Sequence, residues 1–109
     1  MSSDTDRTRV LNDELRQHLL GGGAVTTTGI AALGDEAISR LVQAVAEFDD
    51  FCDGNDPYHE HDFGALDFEG HRVMFKIDYY AQGMLAASSN PADPLITERV
   101  MTLMLAEEY

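Results

Sequence analysis

Cysteine is almost missing from this chain: Cys52 stands alone among 109 residues. That excludes an internal disulfide and any tetracysteine or Cys-x-x-Cys metal site. Cys52 follows an apolar helical face, so a small buried hydrophobe is expected there rather than a reactive thiol. Basic residues are also sparse. Seven Lys and Arg face 20 Asp and Glu, a formal net charge of −13. Nucleic acids and anionic membranes are polyanions, so direct binding to either is not expected, and a basic protein surface is the expected partner. No run approaches the roughly 20 apolar residues of a membrane helix, and the N-terminus lacks the basic-then-apolar layout of a signal peptide. A cytoplasmic location is the expectation. The helical zinc signature His-Glu-x-x-His is absent, and Gly21-Gly22-Gly23 has neither a preceding strand nor a following Lys-Ser/Thr pair. Those glycines therefore read as a helix stop and flexible joint, not a phosphate loop. There is no internal repeat.

What remains is enough for a core. An apolar fraction of 44% in a chain of this length predicts one domain over 1–109, with 1–7 flexible. Leu11, Leu15, His18 and Leu19 predict a first amphipathic helix from Thr8 to Leu20. Ala24 to Leu33, rich in β-branched residues, predicts a strand bent at Gly29. Ile38, Leu41, Val42, Val45 and Phe48 form the clearest apolar stripe of the chain, on a helix capped by Asp35 with Glu36 complementing its dipole.

Phe63–Phe68 and His71–Tyr80, joined by Glu69-Gly70, predict a hairpin. A two-residue loop sets Phe68 opposite His71, Leu66 opposite Val73, Gly64 opposite Phe75 and Asp67 opposite Arg72. Leu66, Phe68, Val73, Phe75, Ile77 and Tyr79 then line the buried face, Gly64 leaves room for the Phe75 ring, and Met74, Lys76, Asp78 and Tyr80 face away. Asp93-Pro94 reads as a helix start, with Ile96, Val100, Leu103 and Met104 as the stripe of a last helix from Leu95 to Glu107. The predicted fold class is α+β: a small antiparallel sheet of a strand plus a hairpin, with about three helices packed on one face.

The segment most unlike a plain connection is Asn55-Asp56-Pro57-Tyr58-His59-Glu60-His61-Asp62-Phe63-Gly64, with two histidines and three carboxylates. It lies within a span from Arg40 to Arg72 that holds no other Lys or Arg, while Glu47, Asp49, Asp50, Asp53, Asp56, Glu60, Asp62, Asp67 and Glu69 fall inside it. Four readings compete. A divalent-metal site would use His61, Glu60, Asp62 and Asp78, all ligand types, with His59 the weakest member. A calcium loop would use Asp49, Asp53, Gly54 and Glu60, although Phe51 and Pro57 occupy ligand positions. Acid/base catalysis would rest on His61 beside Asp62, but no Ser, Cys or Lys nucleophile is near in sequence, and no catalytic residue is assigned. A rigid turn would use Asn55 or Asp56 as an Asx turn into Pro57, with Tyr58 and Phe63 packing down.

Asn55-Asp56-Pro57-Tyr58 with Glu60-His61-Asp62-Phe63-Gly64, then Lys76-Ile77-Asp78-Tyr79-Tyr80, then Asn90-Pro91-Ala92-Asp93-Pro94, with Thr97, Arg99-Val100 and Ala106-Glu107-Glu108-Tyr109, resembles a small bacterial family of unknown function. The likeness runs from about Leu11 to the C-terminus. It implies no activity; it associates the chain with products of plasmids and other mobile elements.

The leading expectation is an acidic binding protein. Glu47, Asp49, Asp50, Asp53, Asp56, Tyr58, Glu60 and Asp62 would engage a basic surface on a CRISPR or restriction component, carboxylates standing in for phosphates. No cofactor is required. The alternative is a metal-binding regulator or metal-dependent enzyme built on the His/Glu/Asp turn. The far hairpin face, with Met74 and Tyr80, and the unpaired sheet edge are candidate homodimer surfaces.

Overall fold

The computed structural model describes residues 3–109. Helix α1 (Asp4–His18) leads into strand β1 (Gly22–Thr26), followed by the short helix α2 (Thr28–Ala31) and helix α3 (Asp35–Ala46). Strands β2 (Phe63–Phe68), β3 (His71–Ala81) and β4 (Thr97–Leu105) follow, and a 3₁₀ turn, Ala106–Glu108, ends the chain. The fold class is α+β. The four strands form one sheet in the order β1-β4-β3-β2. It is mixed and not antiparallel as expected, because β1 runs parallel to β4 while β2–β3 and β3–β4 are antiparallel.

The hairpin register is as expected at every pair: Phe68↔His71, Asp67↔Arg72, Leu66↔Val73 and Gly64↔Phe75. A two-residue loop and strict alternation leave one register that buries a single face, so local sequence suffices. Val73, Phe75 and Ile77 of β3 are buried with Leu15, Ile30, Leu41, Val45, Phe68, Met101 and Leu103. Gly64 is required: a Cβ there would lie 2.4 Å from Phe75 Cε1 and 2.7 Å from Phe48 Cε1. Tyr79 and Leu66 pack at the margin of this core, as do Ile38, Val42 and Phe48 of the expected helical stripe.

The expected last helix is instead β4, the strand between β1 and β3. Its inward residues, Thr97, Arg99, Met101 and Leu103, alternate as a strand requires. Two of those four are polar, which hides the period-two signal and lets Ile96, Val100, Leu103 and Met104 mimic a helical stripe. Nine pairings with β3, from Val73↔Leu105 to Ala81↔Thr97, decide the matter. Asp93 does not cap a helix; its side chain accepts from Leu95 N at 2.9 Å in a turn that delivers the chain into β4.

Other boundaries move for local reasons. The predicted strand Ala24–Leu33 is shorter and earlier, with α2 occupying its second half. The glycine joint is part of β1, and Gly22 lies so near β4 that a Cβ would meet Arg99 O at 2.5 Å. Helix α1 starts before Thr8, with the Ser3 side chain accepting from Asp6 N at 3.0 Å, so residues 4–7 are helical. Its buried positions are Thr8, Asn12, Leu15 and Arg16, while His18 and Leu19 are exposed. Gly34, at φ 93°, and not Asp35, is the N-cap of α3; Asp35 and Glu36 sit in the first turn, where the dipole favours them. Cys52 is exposed, contrary to the expected buried position, because α3 ends at Ala46, before its apolar face reaches that residue. Among the described residues no helix is long and apolar enough to cross a membrane.

Candidate functional site

The segment between α3 and β2 is a built turn. Asn55 ties its first half, accepting from Cys52 N at 2.9 Å and donating to Asp50 O at 2.8 Å. Asp56 ties the second: its Oδ1 accepts from both Glu60 N and His61 N at 3.0 Å, and its carbonyl accepts from His59 N at 3.1 Å. The expected Asx turn into Pro57 does not form: the Asp56 side chain reaches N–H groups four and five residues on, and Tyr58, 72% exposed, does not pack down, yet the segment is a braced turn and it holds a costly backbone. His59 and His61 both have left-handed φ, 59° and 57°, a conformation that disfavours residues with a Cβ by about 1–2 kcal/mol each. Arg9 Nη1, donating to His59 O at 2.9 Å, and Asn12 Nδ2, donating to Glu60 O at 3.0 Å, fasten the loop to α1.

His61 lies flat on Phe51, ring centroids 3.8 Å apart and planes within 4°. Its Nδ1 is 2.9 Å from Asp13 Oδ1 and its Nε2 is 3.6 Å from Asp56 Oδ2. With a carboxylate at each ring nitrogen, the imidazole is a positioned strut rather than an open base. Asp13 also accepts from Arg16 at 3.0 Å. Arg16 Nη1 reaches the end of α3, donating to Val45 O and Ala46 O at 3.1 Å and Phe48 O at 2.7 Å, so one guanidinium caps the C-terminal carbonyls of the helix and the residue just beyond it. Asp13, Arg16, Gln17, Glu47, Phe51 and His61 line an open groove of about 570 Å³.

Glu60 belongs to a second network. Tyr79 OH donates to Glu60 Oε2 at 3.2 Å and accepts from Asn12 Nδ2 at 2.7 Å. Arg99 Nε donates to Asn12 Oδ1 at 3.0 Å, its head donates to Pro91 O, and its guanidinium lies 5.3 Å from the Tyr79 ring centroid. Burial, then the Asp62 carboxylate, raises the Glu60 carboxyl above its ordinary range. Burial likewise raises Asp62, with Asp56 and Asp78 adding repulsion, and raises the Tyr79 phenol. Desolvation lowers the Arg99 guanidinium.

The proposed metal residues are divided between these arrangements. His61 is held by Asp13 and Asp56, Glu60 by Tyr79, and Asp78 by Lys76 Nζ at 3.1 Å. Among the described residues no group of three or more His, Cys, Asp or Glu side chains is placed to hold a metal ion. The proposed partner-binding residues separate by exposure. Glu47, Asp49, Asp50, Asp53 and Tyr58 are exposed and Glu60 and Asp62 intermediate, but Asp56 is 2% exposed and faces inward, so it supports the turn and is not available at the surface.

Sequence reasoning did not identify Asn12, Asp13, Arg16, Phe51 or Arg99 as parts of this site. A signal existed for α1, since Thr8, Asn12, Leu15 and Arg16 have the spacing of a helix face, but polar residues were not counted toward it.

The ion pairs explain where the charge remains. Six of the seven Lys and Arg pair with Asp4, Asp6, Asp13, Glu69, Asp67 and Asp78, and Arg99 is buried in the Asn12 network. Among the described residues none reaches Glu47, Asp49, Asp50 or Asp53.

No curated protein and no solved structure matches the chain. A family model described as "Protein of unknown function (DUF3768)" matches residues 26–108, from the end of β1 through the 3₁₀ turn. The chain belongs to that family.

Proposed function

We propose that this protein is an inhibitor of a nucleic-acid-handling complex, of anti-CRISPR or anti-restriction type, that docks its carboxylate-rich segment on a basic protein surface. The observation that carries this reading is the un-neutralised set Glu47, Asp49, Asp50 and Asp53, exposed beside a turn cross-braced by Asn55 and Asp56. Fixed carboxylates on such a turn resemble a run of phosphates, and they meet a Lys/Arg-lined groove without the entropy cost of ordering a loop. Tyr58, 72% exposed at the turn's outer bend, supplies an aromatic anchor, and Glu60 and Asp62 extend the acidic face toward β2. The sequence likeness to products of bacterial mobile elements supports the same reading, since such elements must survive host defence nucleases.

The test is affinity capture with the full chain from bacterial cells expressing CRISPR and restriction systems, beside a variant carrying Glu47→Gln, Asp49→Asn, Asp50→Asn and Asp53→Asn. The expected result is recovery of a nucleic-acid-handling complex by the native chain at about 0.15 M salt, its loss at about 1 M, and its loss in the variant. Recovery of no such protein, or equal recovery by the variant, refutes the reading.

A further inference from the structure

The free edge of the sheet opposite the acidic turn has its own chemistry. β1 is the outermost strand, paired on one side with β4 and, among the described residues, with no strand beyond it, and all five of its residues are exposed. Such an edge offers unpaired N–H and C=O groups to another strand, and proteins ordinarily blunt it with Lys, Pro, a bulge or an inward charge. None is present. Between Arg16 and Asp35 the chain contains no Asp, Glu, Lys, Arg or Pro. Leu19, Leu20 and Val25, 47%, 59% and 50% exposed, add apolar surface beside it. The other edge, β2, is guarded: Asp67 pairs with Arg72, and Glu69 at its end is gripped by Arg40.

We propose that β1 is a self-association edge whose occupant is the β1 strand of a second copy, joined antiparallel about a twofold axis into one eight-stranded sheet. This goes beyond the inhibitor reading and does not depend on it. Charge selects the occupant. A chain of net charge −13 repels its copy over most of its surface, and only an uncharged stretch lets two copies meet; a basic partner is drawn to Glu47–Asp53 instead. The acidic turn leads into β2, at the far side of the sheet. With strands about 4.8 Å apart, seven steps place the two β2 strands, at the outer edges of the joined sheet, about 34 Å from each other. A twofold axis through Ala24 sets Gly22 opposite Thr26 of the second copy and Gly23 opposite its Val25. No atom of the described residues lies within 4 Å of a Cβ built on Gly23, so Val25 of the second copy has open space to cover.

Sedimentation velocity of the full chain from roughly micromolar to millimolar concentration tests this, in salt of about 0.15 M and about 1 M. The expected result is a monomer–dimer equilibrium that strengthens with salt, the opposite of the salt response expected for a basic partner. Val25→Lys should weaken dimerisation at least about tenfold while leaving circular dichroism unchanged, and Asp67→Lys on the β2 edge should leave it intact. Hydrogen exchange of the β1 amides should slow with concentration. Thr26→Lys replaces Val25→Lys should the latter fail to fold. A monomer at every concentration, a dimer indifferent to both β1 substitutions, dissociation by Asp67→Lys alone, or β1 protection only by a foreign peptide overturns the proposal.

Discussion

Replacing Asp56 with alanine tests whether the acidic turn is rigid. Its carboxylate is 2% exposed, accepts two backbone N–H groups at 3.0 Å and faces His61 Nε2 at 3.6 Å. Alanine removes both acceptors and leaves the N–H groups of two residues in an inward-facing loop without partners. Each unsatisfied group costs about 1–3 kcal/mol, although water entering the opened turn recovers part of it. The left-handed conformation of His61 loses its anchor at the same time. A net loss of roughly 3 kcal/mol is expected, a fall in Tm on the order of 10 °C for a domain of this size. Asp56→Asn keeps an acceptor oxygen and loses only the charge, so it should cost about 1 kcal/mol. Urea unfolding of the three proteins, with the slope checked for constancy, measures both. A loss under about 0.5 kcal/mol for Asp56→Ala would mean that this carboxylate does not hold the turn, and the preorganised acidic face would lose its basis.

Three further outcomes follow from packing and charge. Gly64→Ala forces a Cβ within 2.4 Å of the Phe75 ring and should cost about 1–3 kcal/mol, read by denaturant unfolding; a neutral result would mean that the β2–β3 face is not close-packed. Arg16→Ala removes three carbonyl contacts at the end of α3 and the Asp13 pair, and should cost about 3 kcal/mol or more, with faster hydrogen exchange in the last turn of α3 as the local signature. Glu60 has a folded-state proton affinity above its ordinary value of 4.5. Its contribution to stability is therefore fully present below that pH and lost as pH rises through the folded value. Glu60→Gln should accordingly melt higher than the native chain near neutral pH and converge with it below pH 4.5, the two curves being compared by calorimetry. Asp6, Glu69 and Glu108 act in the opposite sense, since hydrogen bonds from Arg9, Arg40 and Thr27 lower them and their contribution is lost on acidification.

How much of this could be read from residues alone depended on the range of the interaction. The hairpin and α3 were legible because a short loop and a 3.6-residue stripe are local patterns that burial of one face makes unique. A rigid turn at Asn55-Asp56 was legible for the same reason, since its hydrogen bonds span five residues or fewer, although they are not those of the Asx turn expected. β4 was not. Its strand state comes from pairing with β1, more than seventy positions away, and with β3, and its inward Arg99 is tolerated only because Asn12, 87 residues distant, receives it. The exposure of the charges divided likewise. Composition set the sign and size of the net charge, and five of the six Lys/Arg ion pairs are local, spanning five residues or fewer, whereas the tertiary fold brought Arg40 to Glu69, buried Arg16 and Arg99 and turned Asp56 inward. Local order is written in spacing because it involves few residues at short separation; which polar side chain is buried is decided only when distant segments meet.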